Sequence, residues 1–191
     1  MSQTATYSEK QFEPSLIPSG RLGMWWFLAS EITIFGPIVA AFVLLRFRHP
    51  EWVEQAKHAL TIMGFINTLV LITSSYTMVL AHQSAEKNDD AKAKRFLLFT
   101  IILGTLFLVI KGMEYTYKIR EGFIPGSHLY WGFYFFMTGL HALHVVIGLV
   151  VMASFLAGYK HQKLRIGHVG LYWHLVDIVW IFLFPLLYLE A

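Results

Sequence analysis

The chain has 191 residues, of which 56% are hydrophobic and only 14% are charged, and its formal net charge at pH 7 is +3. A soluble globular domain carries about 25% charged residues, so this composition indicates a membrane protein. Cysteine is absent, which excludes disulfides, thiolate metal ligands and iron–sulfur clusters. Basic residues collect in the loops without interleaved stacking aromatics, so no nucleic-acid partner is expected.

Residues 1–21 form a polar segment that contains two prolines and lacks the basic-then-apolar order of a cleaved signal peptide. We interpret it as a short tail before the first membrane span. Five apolar stretches follow, each about twenty residues or longer and therefore able to cross a bilayer as a helix. Their length and continuity favour helices over the strands of a membrane barrel. The predicted spans are 22–45, 60–81, 96–117, 130–157 and 170–189.

Short polar connections separate the five spans. The first contains Pro50, which suits a helix start, the second (82–95) is highly charged, and the third contains the turn signal Pro125-Gly126. Because all loops are short, neighbouring helices should pack antiparallel in one all-α membrane bundle, residues 22–191. Lys and Arg favour the tail and the second and fourth loops by about nine to five, so the positive-inside rule predicts a cytoplasmic N-terminus and an external C-terminus.

Glu31 in the first span lies about eight residues from the start of that span, roughly 12 Å along a helix axis. At this depth a short side chain does not easily reach the membrane surface. Its carboxyl should therefore be protonated or hydrogen-bonded to a neighbouring helix. The residue is either a proton-active or gating carboxyl or a neutral structural hydrogen bond.

The second and third spans carry polar residues that predict packing and surface pairing. In the second span, interhelical hydrogen bonds are predicted for Asn67, Thr73, Ser74, Ser75 and Thr77. Near the end of the third span, Glu114 and Lys118 have the i, i+4 spacing and the order that favour an ion pair. Lys111 is long enough to extend its ammonium group towards the membrane surface. We therefore predict a cluster of interfacial ion pairs formed by Lys111, Glu114 and Lys118.

The fourth span carries His141 and His144 at i, i+3 on one helix face, and Gly148 continues that face, where a small residue lets another helix approach. The two histidines either hydrogen-bond within the bundle or bind a metal or haem. The first reading is favoured, since only His174 would be available as a further axial ligand. The sequence contains neither the Glu-x-x-His motifs of di-iron bundles nor the His-Glu-x-x-His of zinc proteases. No metal site is predicted.

The last span carries His174 and Asp177, again spaced i, i+3 on one face. An Asp inside the hydrocarbon costs roughly 2.5–3.5 kcal/mol on insertion scales, so something within the bundle should satisfy this pair. The sequence has no phosphate-binding loop, nucleophile elbow or paired catalytic carboxylates. No self-sufficient active site is therefore predicted on this chain.

Three segments, in order, resemble subunit III of the haem–copper respiratory oxidases. WWFLASEITIFG is similar to the glutamate-bearing helix of that family, GFYFFMTGLHALHVVIG to its double-histidine helix, and GLYWHLVDIVWIFLFPLLYL to its terminal signature. The segment MEYTYKIREGF is similar as well, and the resemblance covers nearly the whole chain from Arg21 onward. By position, Glu31 matches the buried glutamate of the family. Its other intramembrane polar positions are matched by His141, His144, His174 and Asp177.

The resemblance implies an accessory subunit that binds no redox cofactor, with haems and copper in the neighbouring subunits I and II. It implies a complex of the bacterial plasma membrane that reduces dioxygen to water and pumps protons, and that assembles further into a larger respiratory supercomplex in some cases. Subunit I is the expected main contact, phospholipids are expected between the helices, and proton uptake is expected to be supported. We also expect Glu31 to hydrogen-bond a histidine of the fourth span, in particular His144.

Several alternatives stay open. The family also has a seven-span form, whose first two helices make a lipid cleft. This chain begins at what resembles the third helix of that form, which leaves open what takes the place of those two helices. The five-span form also occurs in quinol oxidases and in relatives linked to nitric oxide reductase, so the electron donor is either cytochrome c or quinol. More distant readings are a small proton or solute transporter, with Glu31, His174 and Asp177 as a relay, and a stand-alone b-type cytochrome. The inverted repeats and broken helices of transporters are not visible in the sequence.

Overall fold

The computed structural model describes residues 19–157 and 163–189, and within these ranges every regular element is a helix. Five of the helices are long and apolar enough to cross a membrane, which confirms the predicted all-α fold with five spans. The tail predicted at residues 1–21 lies outside the described residues as far as position 18. The helices are α1 (Ser19–Arg48), α2 (Trp52–Ala56), α3 (Thr61–Glu86), α4 (Asp90–Arg120), α5 (Leu129–Ala157) and α6 (Lys163–Tyr188).

The helices extend beyond the apolar stretches from which they were predicted. The charged segment 82–95, predicted as a connection, is helical except for residues 87–89. The side chain of Asp89 accepts a hydrogen bond from the backbone N–H of Lys92 at 3.1 Å, which caps the first turn of α4. Asn88 has a φ of 61°, a left-handed conformation that asparagine tolerates better than most residues. The prediction placed the helix ends where the apolar residues end, whereas the helices themselves continue into the polar segments.

Helices α3 to α6 form a four-helix ring, and α1 lies outside it. Each of the four packs along two others, in the order α3, α4, α5, α6 and back to α3, while α1 contacts α5 and α6. Short connections join successive helices, which therefore run antiparallel. Most of the surface of α1 is exposed, with Trp25 and Trp26 at 68% and 77%. The core of the molecule is thus built by the last four spans.

Trp173 of α6 joins all four helices of the ring. Its side chain is fully buried, and Nε1 donates a hydrogen bond to Oγ of Ser74 on α3 at 3.0 Å. Glycines on the other two helices make room for the indole. A Cβ added to Gly104 on α4 would lie 2.8 Å from the ring, and one added to Gly148 on α5 would lie 2.9 Å from it. Gly148 therefore allows the close helix approach that was predicted for it.

Aromatic side chains attach the C-terminal end of α1 to the ring. Phe42 packs between Trp52 of α2 and Tyr130 of α5, with ring centroids 5.2 Å and 6.2 Å away. Helix α2 begins two residues after Pro50, which was predicted to suit a helix start. Its extent was not predicted, because a five-residue helix has too few apolar positions for a periodic pattern. Its buried Trp52 closes this end of the bundle.

Candidate functional site

The intramembrane polar residues form three separate groups rather than one site. One group joins α1 to α5, a second joins α4 to α5 and α6, and a third joins α3 to α6. Within the described ranges, no group of three or more His, Cys, Asp or Glu side chains is placed to hold a metal ion. The three groups are therefore considered one by one, as polar contacts between helices.

Glu31 of α1 lies beside His144 of α5, the histidine expected to be its partner. Oε2 of Glu31 is 2.8 Å from Nε2 of His144, and the two side chains are 7% and 11% exposed. The oxygen lies outside the direction in which a ring N–H would point, so the contact is a close polar pair and not an aligned hydrogen bond. Phe35 covers the imidazole edge-on, with ring centroids 5.2 Å apart. The pair is the main polar contact between α1 and the ring.

The carbonyl group of Leu140 determines which nitrogen of His144 carries the hydrogen. Nδ1 lies 2.8 Å from this carbonyl oxygen, which can only accept, so Nδ1 is the donor. Nε2 is therefore the ring nitrogen that remains to face Glu31, 2.8 Å from its Oε2. A polar group beside the carboxyl makes its burial less costly.

We expect Glu31→Ala to lower the free energy of unfolding by about 1–3 kcal/mol, because Nε2 of His144 is left buried and unpartnered. Glu31→Gln should retain most of the stability, since an amide N–H can donate to that nitrogen. The measurement is thermal unfolding of the purified protein in detergent. Ser30→Ala is the control, because this exposed hydroxyl bonds the carbonyl of Phe27 in its own helix. Equal melting temperatures for Glu31→Ala and Ser30→Ala would contradict the prediction.

Lys111 and Glu114 were predicted to lie at the membrane surface, and this prediction is wrong. Both lie in the core of the bundle. Their side chains are 3% and 0% exposed, and Nζ of Lys111 is 3.0 Å from Oε2 of Glu114. Tyr134 of α5 donates to Oε1 of Glu114 at 2.6 Å, and Tyr188 of α6 donates to Oε2 at 3.1 Å. Nζ also bonds both tyrosine hydroxyls. Donors from three helices thus converge on one carboxylate.

The predicted pairing of Glu114 with Lys118 is wrong. Nζ of Lys118 lies 2.9 Å from Oε2 of Glu121, in the turn beyond the end of α4. A lysine can reach a carboxylate either three or four residues away on a helix, so spacing alone does not decide between the two. Hydrogen bonds from Tyr117 and Lys118 hold the pKa of the Glu121 carboxyl below its usual value. Of the two pairs, Lys111 with Glu114 and Lys118 with Glu121, the second alone has an exposed member, since the Glu121 side chain is 36% exposed.

His141 lies among aromatic rings and does not pair with His144. It is fully buried between Phe107 of α4 and Trp180 of α6, with ring centroids 5.5 Å and 5.1 Å away. In the part of the chain that the structure describes, neither ring nitrogen has a hydrogen-bond partner. Its contacts are those of a side chain that packs α4, α5 and α6 together.

His174 and Asp177 are held differently although they share a helix face. Nδ1 of His174 lies 2.7 Å from Oγ of Ser75 on α3. Asp177 is 4% exposed, and neither of its carboxyl oxygens has an aligned hydrogen bond to a described residue. The nearby Ser75 hydroxyl is already engaged with His174.

Of the five interhelical hydrogen bonds predicted for the second span, Ser74, Ser75 and Thr77 make theirs. The prediction is wrong for Thr73, which bonds the carbonyl of Leu69 in its own helix, and for Asn67, which has no hydrogen bond to a described residue.

Comparison with known proteins gives matches along nearly the whole chain. The family model described as cytochrome c oxidase subunit III matches residues 2–191. A cytochrome c oxidase subunit 3 from Thermostichus vulcanus is 33% identical over 175 residues, which cover 88% of this chain and 86% of the relative. A heme-copper oxidase subunit I+III from Aeropyrum pernix is 31% identical over 183 residues, 88% of this chain and 22% of the relative. A quinol oxidase subunit 3 from Bacillus spizizenii is 30% identical over 174 residues, 88% of this chain and 85% of the relative.

Proposed function

Because the chain belongs to the cytochrome c oxidase subunit III family, we propose that it is the accessory subunit III of a proton-pumping terminal oxidase that reduces dioxygen to water. In this assignment subunits I and II hold the haems and copper, and this chain performs no redox step. The observation that carries the proposal is the family match over residues 2–191. The Thermostichus vulcanus and Bacillus spizizenii relatives support a location in the bacterial plasma membrane. The distribution of basic residues supports an N-terminus in the cytoplasm.

We propose that the chain stabilises subunit I by direct contact. The Aeropyrum pernix relative supports this, since its name gives subunits I and III as one chain. Helix α1 has a large exposed apolar surface, including Trp26 at 77%, Ile32 at 66% and Phe47 at 84%. A surface of this kind is covered by lipid or by another subunit in a membrane complex. We assign both types of contact to it, with phospholipids completing the interface with subunit I.

We further propose that the buried polar pairs hold the subunit in the shape that subunit I requires. The pair of Glu31 and His144 fastens α1 to α5, and it places a carboxyl beside an imidazole within the membrane span. This gives Glu31 a proton-linked role beside its structural one. Lys111 and Glu114 fasten α4 to the ends of α5 and α6.

A quinol oxidase is the second candidate for the parent complex. It is supported by the Bacillus spizizenii relative, a quinol oxidase subunit 3 that is 30% identical over 88% of this chain. The two candidates differ in the electron donor and not in the role of subunit III. Oxygen consumption with reduced cytochrome c or with a quinol distinguishes them.

Purification in mild detergent through a tag on this chain tests the proposal. We expect a large multi-helix partner to co-elute, with haem bands in the reduced-minus-oxidised spectrum and with subunits I and II identified by mass. Addition of reduced cytochrome c or of a quinol then identifies the donor by oxygen uptake. A colourless protein that elutes alone under the mildest conditions would overturn the proposal and favour a transporter.

A further inference from the structure

Helix α1 contains a Gly-Pro pair, Gly36-Pro37, near the middle of its length. Proline has no backbone N–H, so the carbonyl of Thr33 lacks the hydrogen bond that residue 37 would donate in a regular α-helix. Glycine has no Cβ, so the backbone before this proline has more conformations open to it than another residue would allow. The Gly-Pro pair is therefore a point at which α1 bends with little resistance from its own hydrogen bonds.

The surroundings of the Gly-Pro pair leave room for such a bend. Both residues are exposed, and a Cβ added to Gly36 would meet no atom within 4 Å. A groove of about 450 Å³ lies between this part of α1 and α5, lined by Pro37 on one side and by Gly132 and Phe136 on the other. Close packing against α5 therefore does not fix the angle of α1 at the pair.

The half of α1 that follows the Gly-Pro pair is attached to the bundle by deep packing. Phe42 is fully buried among the rings of Trp52, Tyr130 and Phe133, with centroids 5.2, 6.2 and 5.8 Å away. Burial of an aromatic side chain is one of the largest favourable contributions that a single residue makes to packing. We therefore expect this half to stay in place.

The half of α1 that precedes the Gly-Pro pair has fewer attachments. Glu31 and Phe35 both contact the imidazole of His144, at 2.8 Å between Oε2 and Nε2 and at 5.2 Å between ring centroids. Phe27, which is 40% exposed, lies 5.5 Å from Tyr172 of α6 between ring centroids. None of the residues from 22 to 30 is buried in the described structure. The contacts of this half are thus concentrated on one histidine and one tyrosine of the ring.

A cleft of about 460 Å³ lies between this N-terminal half and helices α3 and α6. Its lining includes Trp25 and Leu28 of α1, Met78 of α3 and Leu171 of α6. All the α1 residues that line it precede the Gly-Pro pair. A bend at the pair therefore changes the width of the cleft and leaves the cluster around Phe42 intact.

We propose that α1 is hinged at Gly36-Pro37, so that its N-terminal half swings away from the ring and widens the cleft while its C-terminal half stays docked. In hinge movements of this kind a few residues absorb the change in backbone angles and the segments on either side move as rigid bodies. The closed state is the one described above, and the contact between Glu31 and His144 is the polar contact that holds it. The inference concerns movement within this chain, so it goes beyond the proposed function and does not depend on it.

Double electron–electron resonance between spin labels on the purified chain in nanodiscs tests the hinge. The native chain contains no cysteine, so labels attach to it only at introduced cysteines. The first label pair, Trp26→Cys with Phe99→Cys on α4, reports on the N-terminal half of α1. The second, Phe47→Cys with Ile119→Cys on α4, reports on the C-terminal half. All four native side chains are more than half exposed, so the labelled variants should fold. We expect two distance populations for the first pair and one for the second.

Substitution of the Gly-Pro pair should abolish the movement. In Gly36→Ala/Pro37→Ala the first label pair should lose its longer-distance population, because residue 37 regains a backbone N–H and residue 36 a strong helix former. Both positions are exposed, so this variant should fold. Gly23→Ala is the matched control, since a Cβ at this exposed glycine of α1 would also meet no atom within 4 Å. It should leave both populations unchanged.

Glu31→Ala should increase the longer-distance population, because it removes the polar contact with His144, whereas Ser30→Ala should not. A single distance for the first label pair in the native chain would overturn the hinge. A longer-distance population that persists in Gly36→Ala/Pro37→Ala would also overturn it. Two populations for both label pairs would show that α1 undocks as a whole and would overturn it as well. These outcomes are independent of whether subunits I and II co-elute, which is the test of the proposed function.

Discussion

Glu114→Leu is expected to lower the free energy of unfolding by about 3–5 kcal/mol, because it leaves the ammonium group of Lys111 buried without a counter-charge. In the native protein this carboxylate accepts from Lys111, Tyr134 and Tyr188. All three donors lose their shared acceptor together, so α4 loses polar contacts with two helices. The measurement is thermal or denaturant-induced unfolding of the purified protein in detergent.

The double variant Lys111→Met/Glu114→Leu is expected to recover most of this loss, since it removes both charges from the core. The two tyrosine hydroxyls, whose oxygens lie 3.0 Å apart, can still bond each other. Glu54→Gln is the control, because both side chains of its i, i+3 pair with Lys57 are more than half exposed and its loss should change stability by less than about 1 kcal/mol. If the double variant is as unstable as Glu114→Leu, the unpaired charge of Lys111 is not the cause of the destabilisation.

Trp173→Ala is expected to destabilise the bundle by about 3–5 kcal/mol. The substitution opens a cavity between four helices and leaves the hydroxyl of Ser74 without its indole donor. Gly104 and Gly148 lie directly against the indole and have no side chains with which to fill the space. Unfolding in detergent and the yield of intact oxidase complex both measure this effect.

Trp173→Phe should have a smaller effect than Trp173→Ala, because the phenyl ring fills part of the cavity although it cannot bond Ser74. Trp26→Ala should leave the melting temperature unchanged, since this indole is 77% exposed. The expected order of stability is therefore native and Trp26→Ala together, then Trp173→Phe, then Trp173→Ala. A melting temperature for Trp173→Ala close to that of Trp26→Ala would show that the indole does not join the helices.

Hydropathy was sufficient for the five spans. Helix spacing did not show that His141 packs against α4 and α6 while His144 faces α1. Neither was sufficient for the ends of the helices. The length of an apolar stretch is set by the thickness of the membrane. The ends of the helix are set by hydrogen bonding and capping, as at Asp89. The charged residues on either side of this cap extend α3 and α4 into the polar region.

The prediction that Lys111 lies at the membrane surface failed for a different physical reason. A lysine near the end of a span normally reaches the surface, and nothing within the third span contradicts that expectation. Its environment is set by Tyr134 and Tyr188, which are 23 and 77 residues away in the sequence. Tyrosines on two other spans are visible in the sequence, but the rotation of each helix about its axis decides whether they converge. The position of Glu31 was easier to predict, because a carboxyl so deep in a span requires a partner on a neighbouring helix.

The peripheral position of α1 has a consequence for how the protein is made. Glu31 leaves the ribosome before His144, which follows roughly 110 residues later. At about 5–20 residues per second, that delay is about 6–20 s. During this time α1 has no ring of helices to dock on, so the carboxyl of Glu31 lacks the polar partner that it has in the folded protein. Biosynthesis therefore proceeds through an intermediate in which α1 is inserted but undocked, and the closing of the Glu31–His144 pair becomes one of the last steps of assembly.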